Sequence, residues 1–251
     1  MTRARAALRC ALFVLAALAA VVVVPSRADA QWYLAVFMGA NHTPPAQVSI
    51  DQPGKGTSLS FHDVTFEARS FKAPQYYGYR FGQFDRSRKL LFEVEFIHLK
   101  VIAQTSRAFH VTGQLAGAAV DDTVPMNTLV ERYQMTHGLN FFLFNLKRRV
   151  AIKPRPDGSS RASILAGGGF GFTTPHAETT IGGVTREQYE YAGLGLDAAV
   201  GLDFRLKDHL AVVADYKVTY AKPRITIDGG TGQMLALSHQ VAFGVAFHTR
   251  R

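Results

Sequence analysis

Cysteine is almost missing from this 251-residue chain, and the single one, Cys10, stands ahead of an apolar run. That run, Ala11–Val24, follows Arg3, Arg5 and Arg9 and ends near Ala28-Asp29-Ala30. A basic start, a short apolar stretch and an A-x-A site describe a secretory leader cleaved before Gln31. On this reading residues 31–251 hold no thiol, which excludes disulfides, thiol chemistry and cysteine metal sites. Long apolar runs are missing too. Beyond residue 30 none approaches the roughly 18 residues of a spanning helix, and Ala11–Val24 is itself short for one. Acidic residues are the scarcer charge, 19 Asp and Glu against 28 Lys and Arg, for a net +9. The leader's four Arg and one Asp account for +3 of that, leaving +6 on residues 31–251. In an exported chain this basicity points to anionic lipid or polysaccharide, since nucleic acid would be out of reach. The remaining length suits one domain.

What is present is alternation. In residues 192–204, AGLGLDAAVGLDF, one set is Ala192, Leu194, Leu196, Ala198, Val200, Leu202 and Phe204. The interleaved set is Gly193, Gly195, Asp197, Ala199, Gly201 and Asp203. A strand points successive side chains to opposite faces, so one face is continuously apolar and the other small or ionised. A water-soluble barrel would do the reverse. The pattern fits a strand with lipid outside and a narrow lumen inside.

The strand carrying this alternation is expected over Tyr189–Phe204, and seven further segments share the pattern or composition: Trp32–Ala40, Gln75–Gln83, Leu90–Ala103, Val130–Leu146, Ala162–Phe172, His209–Tyr220 and Leu237–Phe247. None contains proline, which would break a ladder. In Trp32–Ala40 the two faces compete, Tyr33, Ala35 and Phe37 against Leu34, Val36 and Met38. The connections 41–74, 104–129, 173–188 and 221–236 are long, 84–89 and 205–208 short, and 147–161 intermediate. Long outer loops alternating with short periplasmic turns are the rhythm of outer-membrane barrels. The expectation is an all-β, eight-stranded antiparallel transmembrane β-barrel with long extracellular loops, spanning residues 31–251. Tyr77, Tyr133, Tyr189 and Tyr220 would lie at its outer edge, and Trp32, Phe204 and Phe247 at the periplasmic edge.

The lumen-facing set would be Arg80, Glu93, Glu95, Arg132, Asn140, Asp197, Asp203, Asp215 and Lys217. A turn near Arg86–Ser87 sets Arg80 opposite Glu93, and a turn centred on Lys207 sets Lys217 opposite Asp197. Eight strands leave room only for side chains, so the interior is expected to be a polar plug.

Seven of the nine histidines fall on the outer half: His42, His62, His98, His110, His137, His176 and His239. Barrel closure would bring His42 towards His239, and adjacent strands would bring His98 towards His137. Arg69, Lys72, Lys100, Arg107, Lys222 and Arg224 join them, suited to lipopolysaccharide phosphates. Three readings of this rim stay open: lipopolysaccharide contact, lipid A chemistry, or a metal-binding or adhesive surface. For hydrolysis Ser238 and His239 are adjacent, which places them on opposite faces. For a divalent metal, His42, His239 and Asp228 would serve only if the last outer loop folds back. Gly229, Gly230 and Gly232 read as turn glycines, not a phosphate cradle.

With its leader and loop rhythm, the stretches AGLGLDAAVGLDF, LAVVADYKVTY and HQVAFGVAF resemble the small eight-stranded outer-membrane barrels. These include the OmpA transmembrane domain, OmpX, OmpW, the opacity-type antigens and, more distantly, the lipid A-modifying barrel enzymes. The resemblance implies the outer membrane of a Gram-negative bacterium, insertion by the barrel-assembly machinery, and a structural or surface-interaction role touching lipopolysaccharide. A lipid A oxidase or deacylase is the alternative, although the deacylases' His-x-Ser pairing is absent and Phe247 is followed by His248-Thr249-Arg250-Arg251. A periplasmic lipocalin-like carrier is the second alternative, disfavoured by the Gly and Asp lining.

Overall fold

The computed structural model describes residues 31–154 and 160–249. The expected leader, Cys10 and the cleavage site lie outside the described residues. The alternating segments form strands β1 (Trp32–His42), β2 (Tyr77–Phe84), β3 (Leu90–Ala103) and β4 (Arg132–Ile152). They continue as β5 (Ala162–Thr173), β6 (Gly193–Arg205), β7 (Leu210–Ala221) and β8 (Ala236–His248). Each pairs antiparallel with the next, and β8 pairs with β1 from Tyr33↔His248 to His42↔His239, so the sheet closes on itself. No described helix is long and apolar enough to cross a membrane, which says nothing of strands.

Alternation sorts the two faces. Leu34, Val36, Phe81, Phe92, Leu196, Leu202, Phe243 and Val245 face outwards and are 43–56% exposed across the outer belt. Arg80, Glu95, Asp203 and Lys217 on the enclosed face are at most 2% exposed. The ambiguous β1 resolves with Tyr33, Ala35 and Phe37 inwards. Ala192, expected on the apolar outer face, is instead buried, because Gly193 at φ +118° breaks the alternation there.

The long connections are more ordered than their composition suggested. Segments Ala46–Gln52, Thr57–Val64, Ala108–Leu115, Ala118–Pro125, Arg224–Ile227 and Gly230–Met234 build a second, six-stranded sheet. Its Val48, Ile50, Leu59, Phe61, Val111, Ile225 and Ile227 share one buried cluster with Ile97, Leu139, Phe141 and Ala242 of the closed sheet. Tyr133, expected at the outer aromatic edge, is buried in the same cluster.

This corrects the picture of a wholly polar plug. The enclosed face has three levels: an apolar cluster of Tyr33, Phe84, Leu91, Leu165 and Val213 at the short-turn end, an ionic band, and the larger apolar cluster above. The reason is that the upper enclosed positions face the second sheet instead of water, so hydrocarbon is favoured there.

Candidate functional site

In the ionic band the Arg80 guanidinium donates to Glu95 Oε1 at 2.8 Å and to Asp215 Oδ2 at 2.7 Å. Lys147 Nζ lies 2.5 Å from Glu93 Oε1, and Lys217 Nζ contacts Glu95 while staying 3.7 Å from Asp197. Asn145 Nδ2 donates to both Glu93 and Glu95. The expected partners are each displaced by one step on the enclosed face. Arg80 aligns with Glu95, not Glu93, and Lys217 aligns with Ala199 while Asp197 faces Thr219. The cause is turn geometry. The first hairpin takes a left-handed residue at Arg88 (φ +56°), while the Asp85 carboxylate accepts the N–H groups of Lys89 and Leu90. That moves the turn centre by one residue. Each charged side chain of the band has an oppositely charged neighbour, but both Asp197 oxygens are buried without a hydrogen bond and meet only Lys217 Nζ, at 3.7 Å.

Two other members of the expected lumen set stand elsewhere. Asp203 pairs with His248 Nε2 at 2.8 Å near the short-turn end. Arg132 is not enclosed; its half-exposed side chain pairs with Glu178, because the outer end of β4 pairs with the hairpin strand His176–Ile181. Asn140 is buried beside His98, with His98 Nδ1 2.9 Å from Asn140 Oδ1.

At the outer rim His42 and His239 are register partners, but Asp228 does not join them. It pairs with Lys55 Nζ at 2.6 Å across the second sheet, and this hydrogen bond holds its carboxyl below the usual carboxylate range. His239 Nδ1 lies 2.7 Å from the Tyr216 hydroxyl, while Ser238 Oγ is buried against Thr43 Oγ1 at 2.6 Å. No nucleophile–base pair forms there. The spacing Ser60-Phe61-His62, which sequence reasoning passed over, puts a serine and a histidine on one strand face. His62 Nε2 is instead 2.9 Å from Thr112 Oγ1, and Ser60 Oγ accepts from Gln47 Nε2.

Of the basic rim residues, Arg69, Lys72, Lys222 and Arg224 are exposed. Lys100 is not available to an external anion: it is 5% exposed, and its ammonium donates to the carbonyls of Lys72 and Ala73. The segment that leads to β2 covers it, which explains this. A polar cleft nearby is lined by Glu67, Arg69, Arg107, Glu131, Arg132 and Gln134, among others.

A separate group collects around a β-bulge. The β3–β4 register shifts between Leu99↔Leu139 and Val101↔Met135, so Thr136, His137 and Gly138 oppose Lys100 alone. Bulges re-aim side chains. Here His137 meets the ring of His176 at 4.8 Å, and His176 Nε2 lies 3.3 Å from Glu187 Oε1. Among the described residues, His137, His176 and Glu187 are the group whose ligand atoms are placed to hold a metal ion, all within 4.8 Å of one another. Sequence reasoning named His137 and His176 as outer-rim residues but had no signal for Glu187, which arrives through hairpin pairing.

No family model and no curated protein matches this chain. Among solved structures, it is similar to Neisserial surface protein A at 12% identity, covering 86% of this chain and 96% of that one, with a TM-score of 0.42. It is also similar to Ail, the attachment invasion locus protein of Yersinia pestis, at 10% identity over 87% and 99% of the two chains, TM-score 0.38. A third is the outer membrane protease OmpT of Escherichia coli, at 6% identity over 89% and 98%, TM-score 0.40.

Proposed function

We propose that this chain is an eight-stranded transmembrane barrel of the Gram-negative outer membrane. It carries a rigid outer sheet for surface interaction and touches lipopolysaccharide through Arg69, Lys72, Lys222 and Arg224. One observation carries the reading: a closed sheet whose outward side chains are bulky and apolar over its whole circumference. Burying one such side chain fully is worth roughly 1.5–3 kcal/mol, so leaving each about half wet forgoes on the order of 1 kcal/mol. Summed over the belt this exceeds the net stability of about 5–15 kcal/mol typical of a folded domain. A hydrocarbon surrounding removes the deficit. The enclosed face, filled by side chains at all three levels, speaks against both an open pore and a carrier that holds a ligand inside.

Residues 31–251 contain no cysteine, so single-cysteine variants need no background removal. Spin labels at Leu196→Cys and Phe243→Cys in bilayers should collide with oxygen and be shielded from a water-soluble paramagnet. A label at Asp197→Cys, enclosed in the filled interior, should be reached by neither reagent. Lipid contact at position 197 instead of 196 would overturn the reading. For lipopolysaccharide, association of the folded protein with lipopolysaccharide-containing over neutral vesicles should fall when Lys222 and Arg224 are both changed to Ala. An unchanged preference removes that contact.

A further inference from the structure

We propose that His137, His176 and Glu187 bind one divalent transition-metal ion of the zinc class, clipping the hairpin of residues 176–189 to β4. The proposal does not depend on the membrane reading. The three residues come from two backbone segments that the bulge brings together. His137 projects from the irregular stretch of β4, and His176 and Glu187 stand on the paired strands His176–Ile181 and Val184–Tyr189.

The donor set selects the ion. Two imidazoles and one carboxylate suit zinc and its neighbours, whereas calcium and magnesium require oxygen-rich cages. Three protein ligands leave a fourth position for water or another oxygen donor.

The spacing supports the same conclusion. His176 Nε2 and Glu187 Oε1 are 3.3 Å apart. A charge-assisted N–H···O bond prefers about 2.7–2.9 Å. By contrast, two ligands on a tetrahedral zinc with bonds of about 2.0 Å are separated by about 3.3 Å. The other nitrogen of His176, Nδ1, is buried without a hydrogen-bond partner, so no protein group pins its tautomer. His176 itself is buried and fixed, packed against the Tyr189 ring at 4.4 Å. His137 and Glu187 are exposed, so they are free to close the remaining gap without disturbing the core.

The test uses the full chain folded in detergent micelles, stripped with a chelator and dialysed. Zinc is titrated against a chromophoric competitor, and cobalt is added in a parallel sample for its visible absorption. The expected result is one equivalent bound, with a tetrahedral cobalt spectrum. His137→Ala and Glu187→Gln, both at exposed positions, should each weaken zinc binding about tenfold or more. His176→Ala should do the same, and its folding is checked by gel mobility before and after heating. His42→Ala and His239→Ala should leave binding unchanged. Failure to bind zinc, or binding indifferent to His137→Ala and Glu187→Gln, would overturn the site and leave an ordinary His–Glu pair. Loss of binding in His239→Ala would overturn it equally, by moving the metal to the other histidine pair.

Discussion

Arg80 Nη1 donates to Asp215 Oδ2 at 2.7 Å across the enclosed face, although their strands are separated by β8 and β1. A side-chain pair can span non-adjacent strands only where the cylinder is narrow enough for its contents to meet. Arg80 also bonds Glu95 and lies 4.0 Å from Glu93, so one guanidinium serves three carboxylates.

Arg80→Ala therefore strands buried carboxylates and should destabilise the folded protein by about 3–5 kcal/mol. The measurement is urea unfolding in detergent, followed by the gel shift between folded and unfolded forms. Arg80→Lys should recover only part of the loss, because an ammonium cannot reproduce the guanidinium fork. A wild-type midpoint in Arg80→Ala would show that the band does not hold the strands together.

The same filling predicts electrical silence. Reconstituted in planar bilayers, the folded protein should give no discrete conductance steps. Phe141, Leu139, Ile97 and Tyr76 close the upper level and Tyr33, Phe84 and Leu91 the lower, all at 1% exposure or less apart from Phe84 at 2%. Regular open-channel steps under moderate voltage would contradict this stacking.

The strands of the closed sheet were legible because two unlike surroundings imprint every second residue: Leu196 and Leu202 against Asp197 and Asp203. The second sheet was harder to see. AQVSIDQ does alternate, with Val48 and Ile50 buried, but its polar neighbours and the flanking prolines match what a loop would carry. Register was out of reach because it hangs on local turn conformation, as at Arg88 with φ +56°, which centres the first hairpin one residue on. At the rim, His137 was visible as a histidine on the outer half. Its meeting with Glu187 depends on a bulge and on a hairpin pairing, neither of which leaves a periodic trace.

The first hairpin offers a pH test. Partial burial raises the Asp85 carboxyl, but bonds from the Leu90 N–H, the Ser87 hydroxyl and the Lys89 N–H outweigh it, leaving its pKa below the ordinary 3.8. A depressed carboxylate stabilises the fold above its unfolded value and loses that contribution as pH falls through the folded value. The Leu90 amide resonance in micelles should thus titrate with a midpoint below 3.8. Asp85→Asn should abolish that titration and cost about 1 kcal/mol at neutral pH. A midpoint at or above the ordinary value would mean the turn bonds do not form.

Gly138 is where the rim geometry is most exposed to a single atom. It sits in the bulge at φ +101°, a region L side chains rarely occupy. A Cβ there would stand 2.3 Å from Asn140 Oδ1 and 2.4 Å from His98 Nδ1, the two atoms that face each other at 2.9 Å. Gly138→Ala must then both strain the backbone and push apart a buried contact, a combined cost of about 2 kcal/mol or more. Because the bulge aims His137, the same substitution should also displace its ring from His176. In urea unfolding Gly138→Ala should be clearly less stable than the neighbouring exposed change His137→Ala. Their nuclear Overhauser contacts should differ too, with the His98 ring losing its contacts to residue 140 only in Gly138→Ala. Equal stability of the two variants would mean that the bulge relaxes freely, and the argument that glycine is required there would fail.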